Sequence, residues 1–294
     1  MVPCRGFHVG SIRQVLLPIL VLVLAFQAGP ATARGAEGAE AAEPVDARSW
    51  IGRETEFEAA LLSAEVVNLE PIGTGVTNPY RADVAGGGPI ETFAWKPIKA
   101  GYHGGFFESY ESEVAAYELD KLLGLGMVPV KVERRLDGES GAACMWVTPA
   151  ATFGQLDGPP TPPAREKNRW SLQLIRAKMF DNLINNIDPN LGNWMVDPAW
   201  NIILIDHSRA FSRSKRMVHE LRRADRKLWE RMLALDEETL TEALGQWLSR
   251  AKIRSVLRRR DRMVEVIAAL VEKHGERAVL VEAADEHRAR DPLP

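Results

Sequence analysis

Residues Phe180 to Phe211 read FDNLINNIDPNLGNWMVDPAWNIILIDHSRAF, and the architecture turns on how that run is understood. An apolar helical face ends at Ile184, a short loop rich in Asn and Asp follows, and an apolar strand from Asn201 to Ile205 ends on Asp206. Asp188, Asn193 and Asp206 therefore lie within two consecutive turns of backbone. A carboxylate placed to orient a hydroxyl, beside an amide oxygen and a second carboxylate on magnesium, is the set that phosphoryl transfer uses. Asn and Asp also favour turns for local reasons, so this segment alone fits a turn between a helix and a hairpin equally well.

Just upstream, Leu172, Ile175, Met179, Phe180, Leu183 and Ile184 recur at helical spacing. Downstream of Phe211 the chain reads as helices to about residue 282, with Leu221, Leu228, Met232 and Leu233 as one stripe. The loop Asp157 to Pro163 (DGPPTPP) is a candidate boundary, because its prolines break both helix and central strand. The half before that loop reads as strands. Ala64 to Pro71, residues 80–84 and residues 91–98 are separated by Gly73-Thr74-Gly75 and by Gly86-Gly87-Gly88. Gly101 to Gly105 leads into a helix from about Ser109 to Leu123, stopped by Gly124. Val128 to Arg135 and Ala142 to Val147 flank Asp137-Gly138 as a hairpin. The order is a strand-rich half with one main helix, then a mostly helical half.

At 294 residues the chain holds one large domain or two modest lobes, and its 46% hydrophobic and 26% charged content is ordinary for a globular protein. A formal charge of −3 argues against a general nucleic-acid binder. Arg5 and Arg13, the apolar run Val15 to Phe26 and the small residues Ala31-Thr32-Ala33 read as a signal peptide over 1–33. That run is short for a membrane span, so no stable span is expected after cleavage, with an uncleaved anchor as the alternative. Cleavage would remove two arginines and no acid, taking the charge from −3 to −5, and would leave Cys144 as the only thiol. No internal disulfide and no cysteine-based zinc site would then exist. Residues 34–48 are rich in Ala, Glu and Gly and read as a disordered spacer.

A nucleotide site also needs positive charge and backbone donors. Gly73 and Gly75 could let backbone amides approach an anion, although a plain turn explains two glycines as well. Lys96 sits in the mostly apolar strand Phe93-Ala94-Trp95-Lys96-Pro97, where a lysine needs a reason. Either its stem covers Trp95 with the ammonium facing outward, or it pairs with a helix carboxylate and faces phosphates. Glu113 is the candidate partner, with Glu111 and Glu118 as local competitors.

Glu113-Val114-Ala115-Ala116-Tyr117-Glu118-Leu119-Asp120-Lys121-Leu122-Leu123-Gly124, followed by Met127-Val128-Pro129, resembles the early helix of the secretory-pathway atypical kinases. These comprise the Golgi casein kinase family and its sugar-kinase relatives; their bacterial homologues and the phosphatidylinositol kinases share a related plan. Trp95-Lys96-Pro97 resembles the family's lysine strand, and Phe180-Asp181-Asn182-Leu183 with Asp188-Pro189-Asn190-Leu191-Gly192-Asn193 its catalytic helix and loop. Leu204 to Phe211 (LIDHSRAF) resembles its metal-binding strand end. The likeness is collinear from about residue 70 to 215. It implies an α+β, bilobal protein-kinase-like fold, with an N-lobe over 49–148, a C-lobe over 149–285 and a flexible tail over 286–294.

The resemblance further implies that Lys96 contacts the α and β phosphates of ATP and pairs with Glu113, while Gly73 and Gly75 lie over the phosphates. Asp188 would act on the acceptor hydroxyl, Asn193 and Asp206 would hold Mg2+ or Mn2+, and Met145 to Thr148 would face adenine. Pro189 stands where relatives usually carry arginine, and His207-Ser208 replaces a more flexible pair. The expected activity is that of an exported ATP-dependent phosphotransferase acting on a protein or glycan hydroxyl, secreted or periplasmic. An inactive kinase-fold scaffold that binds a nucleotide or ligand is the alternative, and transfer of a nucleotide instead of a phosphate is a third option. The basic run Arg209 to Lys227 fits either a solvated helix face or a site for an acidic group. Trp95, Trp146, Trp170, Trp194 and Trp200 are expected to pack in the core more than to stack on sugars. His207 is expected to pack or hydrogen-bond without binding a metal.

Overall fold

The structure is a computed structural model that describes residues 45–73, 79–188 and 190–282. The expected signal peptide, most of the spacer, Gly75, Pro189 and the 286–294 tail lie outside the described residues. The chain is already packed at Ala47, which is buried and donates its N–H to Asp197 at 3.0 Å, so order begins before the spacer's expected end at 48.

The first element is a helix that the sequence pattern did not announce, α1 (Glu54–Ser63). It is followed by β1 (Val66–Pro71), β2 (Tyr80–Val84), β3 (Thr92–Lys96), the short pair β4 (Gly101–His103) and β5 (Phe106–Glu108), and α2 (Tyr110–Leu123). Next come β6 (Lys131–Leu136) and β7 (Glu139–Met145), which meet at the expected Asp137-Gly138 turn. These strands build an antiparallel five-stranded sheet in the order β1-β2-β3-β7-β6, with β4 and β5 forming a separate hairpin. The glycines from Gly101 to Gly105 therefore make a hairpin, where the sequence suggested only a lead into the helix.

Side chains alternate across a strand, so register fixes which residues share a face. Lys96 lies opposite Ala142, and both Ala94 and Lys131 lie opposite Cys144, which puts these five residues on one face. Val114 of α2 packs there against Ala142 and Cys144, whose small side chains leave room over the central strand. The other face carries Phe93, Trp95, Val132 and Ala143, in one core with Phe57 and Leu61 of α1. Each such large side chain contributes about 1.5–3 kcal/mol on burial. Arg134 ties α1 down by donating to the carbonyls of Leu61 at 2.7 Å and Ala64 at 2.5 Å. Gly141 has no room for a side chain, because a Cβ there would meet the Lys96 carbonyl at 2.8 Å.

Helix α2 begins where Ser109 accepts the Glu111 N–H at 3.1 Å and ends on Gly124 at φ 55, a left-handed stop that favours glycine. Asp120, on its last turn, accepts the N–H groups of Gly126, Met127 and Val128 at 3.0, 3.1 and 3.3 Å, which shapes the path into β6.

Past β8 (Ala151–Thr152) the chain makes a short turn over Ala164–Glu166 and enters α3 (Lys167–Ile184). Strands β9 (Trp194–Val196) and β10 (Ile202–Leu204) follow α3, and β8 pairs with β9 in the sheet β10-β9-β8. Residues 212–223 are irregular, against the expectation of helix, and lead to β11 (Ala224–Asp225) and α4 (Arg226–Leu233). The remaining elements are α5 (Glu237–Leu244), α6 (Arg250–His274), α7 (Glu276–Val279) and β12 (Leu280–Val281), the last parallel to β11. The expected stripe is only partly right. Leu228 and Met232 are buried on α4, but Leu221 precedes the helix and Leu233 is exposed. Buried Arg259 of α6 donates to the carbonyls of Leu183, Ser212 and Ser214 at 2.7, 2.8 and 3.0 Å, pinning the irregular segment to the end of α3. Among the described residues no helix is long and apolar enough to cross a membrane.

Candidate active site

Glu113 is the node of the strand-rich half. It is fully buried and accepts from Lys96 Nζ at 2.6 Å, from Lys131 Nζ, and from the backbone N–H of His207 at 3.0 Å. Glu113 is thus the partner of Lys96, and Lys96 is buried, not turned outward over Trp95. Burial alone would raise the Glu113 carboxyl, but the Lys131 and Lys96 ammonium groups outweigh it and hold the group well below the usual carboxylate range. Burial likewise opposes the charge on Lys96, and Asp206 with Glu113 reverses that, so its pKa is raised. Lys96 also pairs with Asp206 at 3.0 Å, which joins the sheet to the strand end that follows α3.

The catalytic-type loop is organised by its own amides. The Asn186 side chain donates to Asp181 Oδ1 at 3.1 Å. The Asn193 side chain donates to the Asp188 carbonyl at 2.8 Å, and its Oδ1 accepts no hydrogen bond among the described residues. Ile205 N–H donates to the Asn193 carbonyl at 2.9 Å, which sets β10 and Asp206 directly beside the loop. Asp206 adopts φ 56, a left-handed conformation that Asp tolerates better than most residues. The His207-Ser208 pair is held through α2. Besides the His207–Glu113 bond, the Ser208 carbonyl accepts the Ser109 N–H at 3.0 Å and the Ala210 carbonyl accepts from Ser112 Oγ at 3.3 Å. His207 packs edge-on to Phe180, and its Nδ1 lies 3.0 Å from Lys131 Nζ. Burial and Lys131 both lower its pKa well below the ordinary value, so the ring is neutral.

A cavity of about 900 Å³ opens over these groups and is lined by Lys96, Asp188, Asn193 and Asp206, together with Met145 to Thr148 and Ile72. Gly73, with φ 71, directly follows Ile72 in the chain and is not itself among the lining residues. Glu113 stands behind the cavity, holding Lys96. Three further residues face this space that the sequence did not single out: Glu108, Lys131 and Arg209. Glu108 is fully buried; its Oε1 accepts from Arg209 Nε at 2.5 Å, and its Oε2 has no partner among the described residues. Arg209 Nη1 donates to Asp188 Oδ2 at 2.7 Å. Lys131 was visible in principle, since it lies between Val130 and Val132 and invites the same question as Lys96. Arg209 was hidden at the head of a basic run, and Glu108 among surface-like residues before a helix.

No cage of three His, Cys, Asp or Glu side chains exists among the described residues. A nucleotide-bound Mg2+ needs only one or two carboxylates, because phosphates and water complete its shell. Asp206, the Asn193 amide oxygen and the orphaned Glu108 Oε2 are oxygen donors of that type around one cavity, so the residues present fit a metal–nucleotide group. The tryptophans are mostly core, with Trp95, Trp170 and Trp194 buried, but Trp146 is exposed at the cavity wall under Arg81.

No protein-family model matches the chain. No curated protein matches it. Solved structures do match. The hydra Fam20 structure determined with sugar aligns at TM-score 0.64 and 15% identity, over 79% of this chain and 93% of that one. The Golgi casein kinase aligns at TM-score 0.61 and 14% identity, over 78% of each chain. Its Mn/ADP-bound form aligns at TM-score 0.60 and 14% identity, over 79% of each. The chain therefore has the Fam20-like atypical kinase fold, an α+β arrangement of a strand-rich half and a mostly helical half.

Proposed function

We propose that this protein is an ATP-dependent phosphotransferase that moves the γ-phosphate to a hydroxyl of a protein or glycan. The observation that carries this reading is the pairing of one buried lysine, Lys96, with both Glu113 and Asp206, at the wall of a cavity that also holds Asp188 and Asn193. Lys96 takes the α and β phosphates, Gly73 and Gly75 cover them, and Glu113 keeps Lys96 aimed. Asn193, Asp206 and Glu108 hold Mg2+ or Mn2+, which neutralises charge on the phosphates when bound. Asp188 orients the acceptor hydroxyl and accepts its proton. The segment Met145 to Thr148 meets the adenine edge through its backbone. Mn2+ belongs in the test because the Golgi casein kinase was solved with Mn and ADP bound.

The same reading places the protein outside the cytoplasm, with residues 1–33 as the export signal, 34–48 as a spacer and 286–294 as a tail. The two lobes are 49–148 and 149–285. An inactive scaffold is the second reading, and one observation favours it: both oxygens of Asp188 are engaged, one by Arg209 and one by Asn190 at 3.0 Å.

Calorimetric titration of ATP with Mg2+ or Mn2+ into the protein and into Asp206→Asn tests the proposal. Metal-dependent binding weakened by about tenfold or more in the variant, roughly 1.4 kcal/mol, is expected. Absence of binding with either metal would remove the reading. Product mass then separates phosphate transfer from nucleotide transfer.

A further inference from the structure

We propose that Arg209 is a positioning residue of this site, a resident counter-cation that holds Asp188 and shares Glu108 with the incoming metal; this rests on the phosphotransferase reading above. The guanidinium bridges two carboxylates from different parts of the chain, Glu108 on β5 through Nε at 2.5 Å and Asp188 on the loop after α3 through Nη1 at 2.7 Å. Its own place is fixed from several sides. Phe106 stacks on it with the guanidinium carbon 4.3 Å from the ring centroid, the Ser208 carbonyl accepts from Ser109, and the Ala210 carbonyl accepts from Ser112.

The other two cavity ammonium groups are committed elsewhere, Lys96 to Glu113 and Asp206, and Lys131 to Glu113. Arg209 is thus the one cation paired with Asp188 among the described residues. Residue 189 is proline and supplies no charge, so the cation next to Asp188 comes from the segment after Asp206 instead. The planar fork presents Nε to one carboxylate and Nη1 to the other in fixed directions, whereas a lysine would offer both a single, freely rotating nitrogen.

The bridge has two consequences with opposite signs. Asp188 gains a fixed aim, which favours transfer. Glu108 has one oxygen held by a cation and one buried without a partner among the described residues, so a bare divalent ion taken up at Oε2 meets the Arg209 charge. ATP brings negative charge that offsets this repulsion, so the metal loads preferentially with its nucleotide.

The test is titration of Mn2+ without nucleotide into the parent protein, Arg209→Gln and Arg209→Lys, with thermal unfolding of each in parallel. Removing a unit charge a few ångströms from a divalent ion tightens Mn2+ binding in Arg209→Gln by about tenfold, whereas Arg209→Lys stays near the parent. Phosphate release from Mn–ATP slows by about a hundredfold in both, since misplacing a reacting group by about 1 Å costs that much. Ethylguanidinium restores part of the rate in Arg209→Gln only. A merely structural role predicts weaker binding and a lower unfolding midpoint, with no rescue. Unchanged or weaker Mn2+ binding in a folded Arg209→Gln overturns the proposal. If that variant does not fold, Arg209→Lys decides, and phosphate release at the parent rate overturns it. If the parent binds Mn–ATP but releases no phosphate, the affinity comparison decides alone. A parent that binds no ATP with either Mg2+ or Mn2+ sinks the phosphotransferase reading itself.

Discussion

Glu113 and Asp188 are both carboxylates tied to basic side chains, yet they are held in opposite ways. Glu113 is fully enclosed between two lysines and a backbone N–H, at the junction of β3, β6 and α2. Asp188 has a side chain 32% exposed, one arginine and a neutral amide for partners, and lies in a loop. Breaking a buried charge network is strongly destabilising, because the remaining charge is left in a medium that cannot solvate it. Losing a partly exposed ion pair costs about 1 kcal/mol or less. The strand-rich half therefore spends its charges on holding shape, and the loop after α3 keeps its charge accessible.

The largest effect expected from breaking that contrast is on turnover. Asp188→Ala should lower phosphate transfer by about 10²–10⁴-fold, the usual worth of a positioned acid–base group. Its unfolding free energy should stay within about 0.5 kcal/mol of the parent, as for substitutions away from the core, and calorimetric ATP binding should persist. Undiminished turnover would mean that another group handles the hydroxyl. Lys131→Met is the converse experiment. It should cost about 3 kcal/mol in urea unfolding, the low end for a broken buried pair, because Lys96 still compensates Glu113. A loss under about 1 kcal/mol would show that Glu113 does not depend on its second lysine, and the contrast would weaken.

These two carboxylates were not equally legible in the sequence. Asp188, Asn193 and Asp206 announced themselves because their chemistry lies in one continuous run, and short-range spacing is what a sequence displays directly. Glu113 could be narrowed only to one of three acids around one helix, since the choice depends on which face meets β3 and β6. Lys131 shows the same limit more sharply. Its partner is Glu113 on α2, and nothing local to β6 names it. Arg209 and Glu108 lie 101 positions apart and meet only through the β4–β5 hairpin, which glycine spacing had disguised as a plain lead into the helix. The irregular path over 212–223 was missed for a related reason: buried Arg259 holds it with backbone carbonyls, an interaction without a sequence period.

The last test concerns how dry the Glu113 side of the cavity is. Cys144 lies on the same sheet face as Lys96 and Lys131, lines the cavity, and is buried. Burial and the neighbouring Glu113 push its thiol up to about 12, against the opposing pull of Lys131 and Lys96. Only the thiolate reacts with alkylating agents, and an unperturbed cysteine titrates near 8.5. At pH 8 the thiolate fraction at Cys144 is then on the order of 10³-fold below that of a free cysteine. Iodoacetamide should therefore modify the Cys144 peptide that much more slowly than free cysteine, as followed by mass spectrometry, and added Mn–ATP should change little because the thiol is already protected. Alkylation at the free rate would mean that water reaches the Glu113 node. The two carboxylates would then differ in partner number alone, not in burial, and the stability cost expected for Lys131→Met should shrink toward that of an exposed pair.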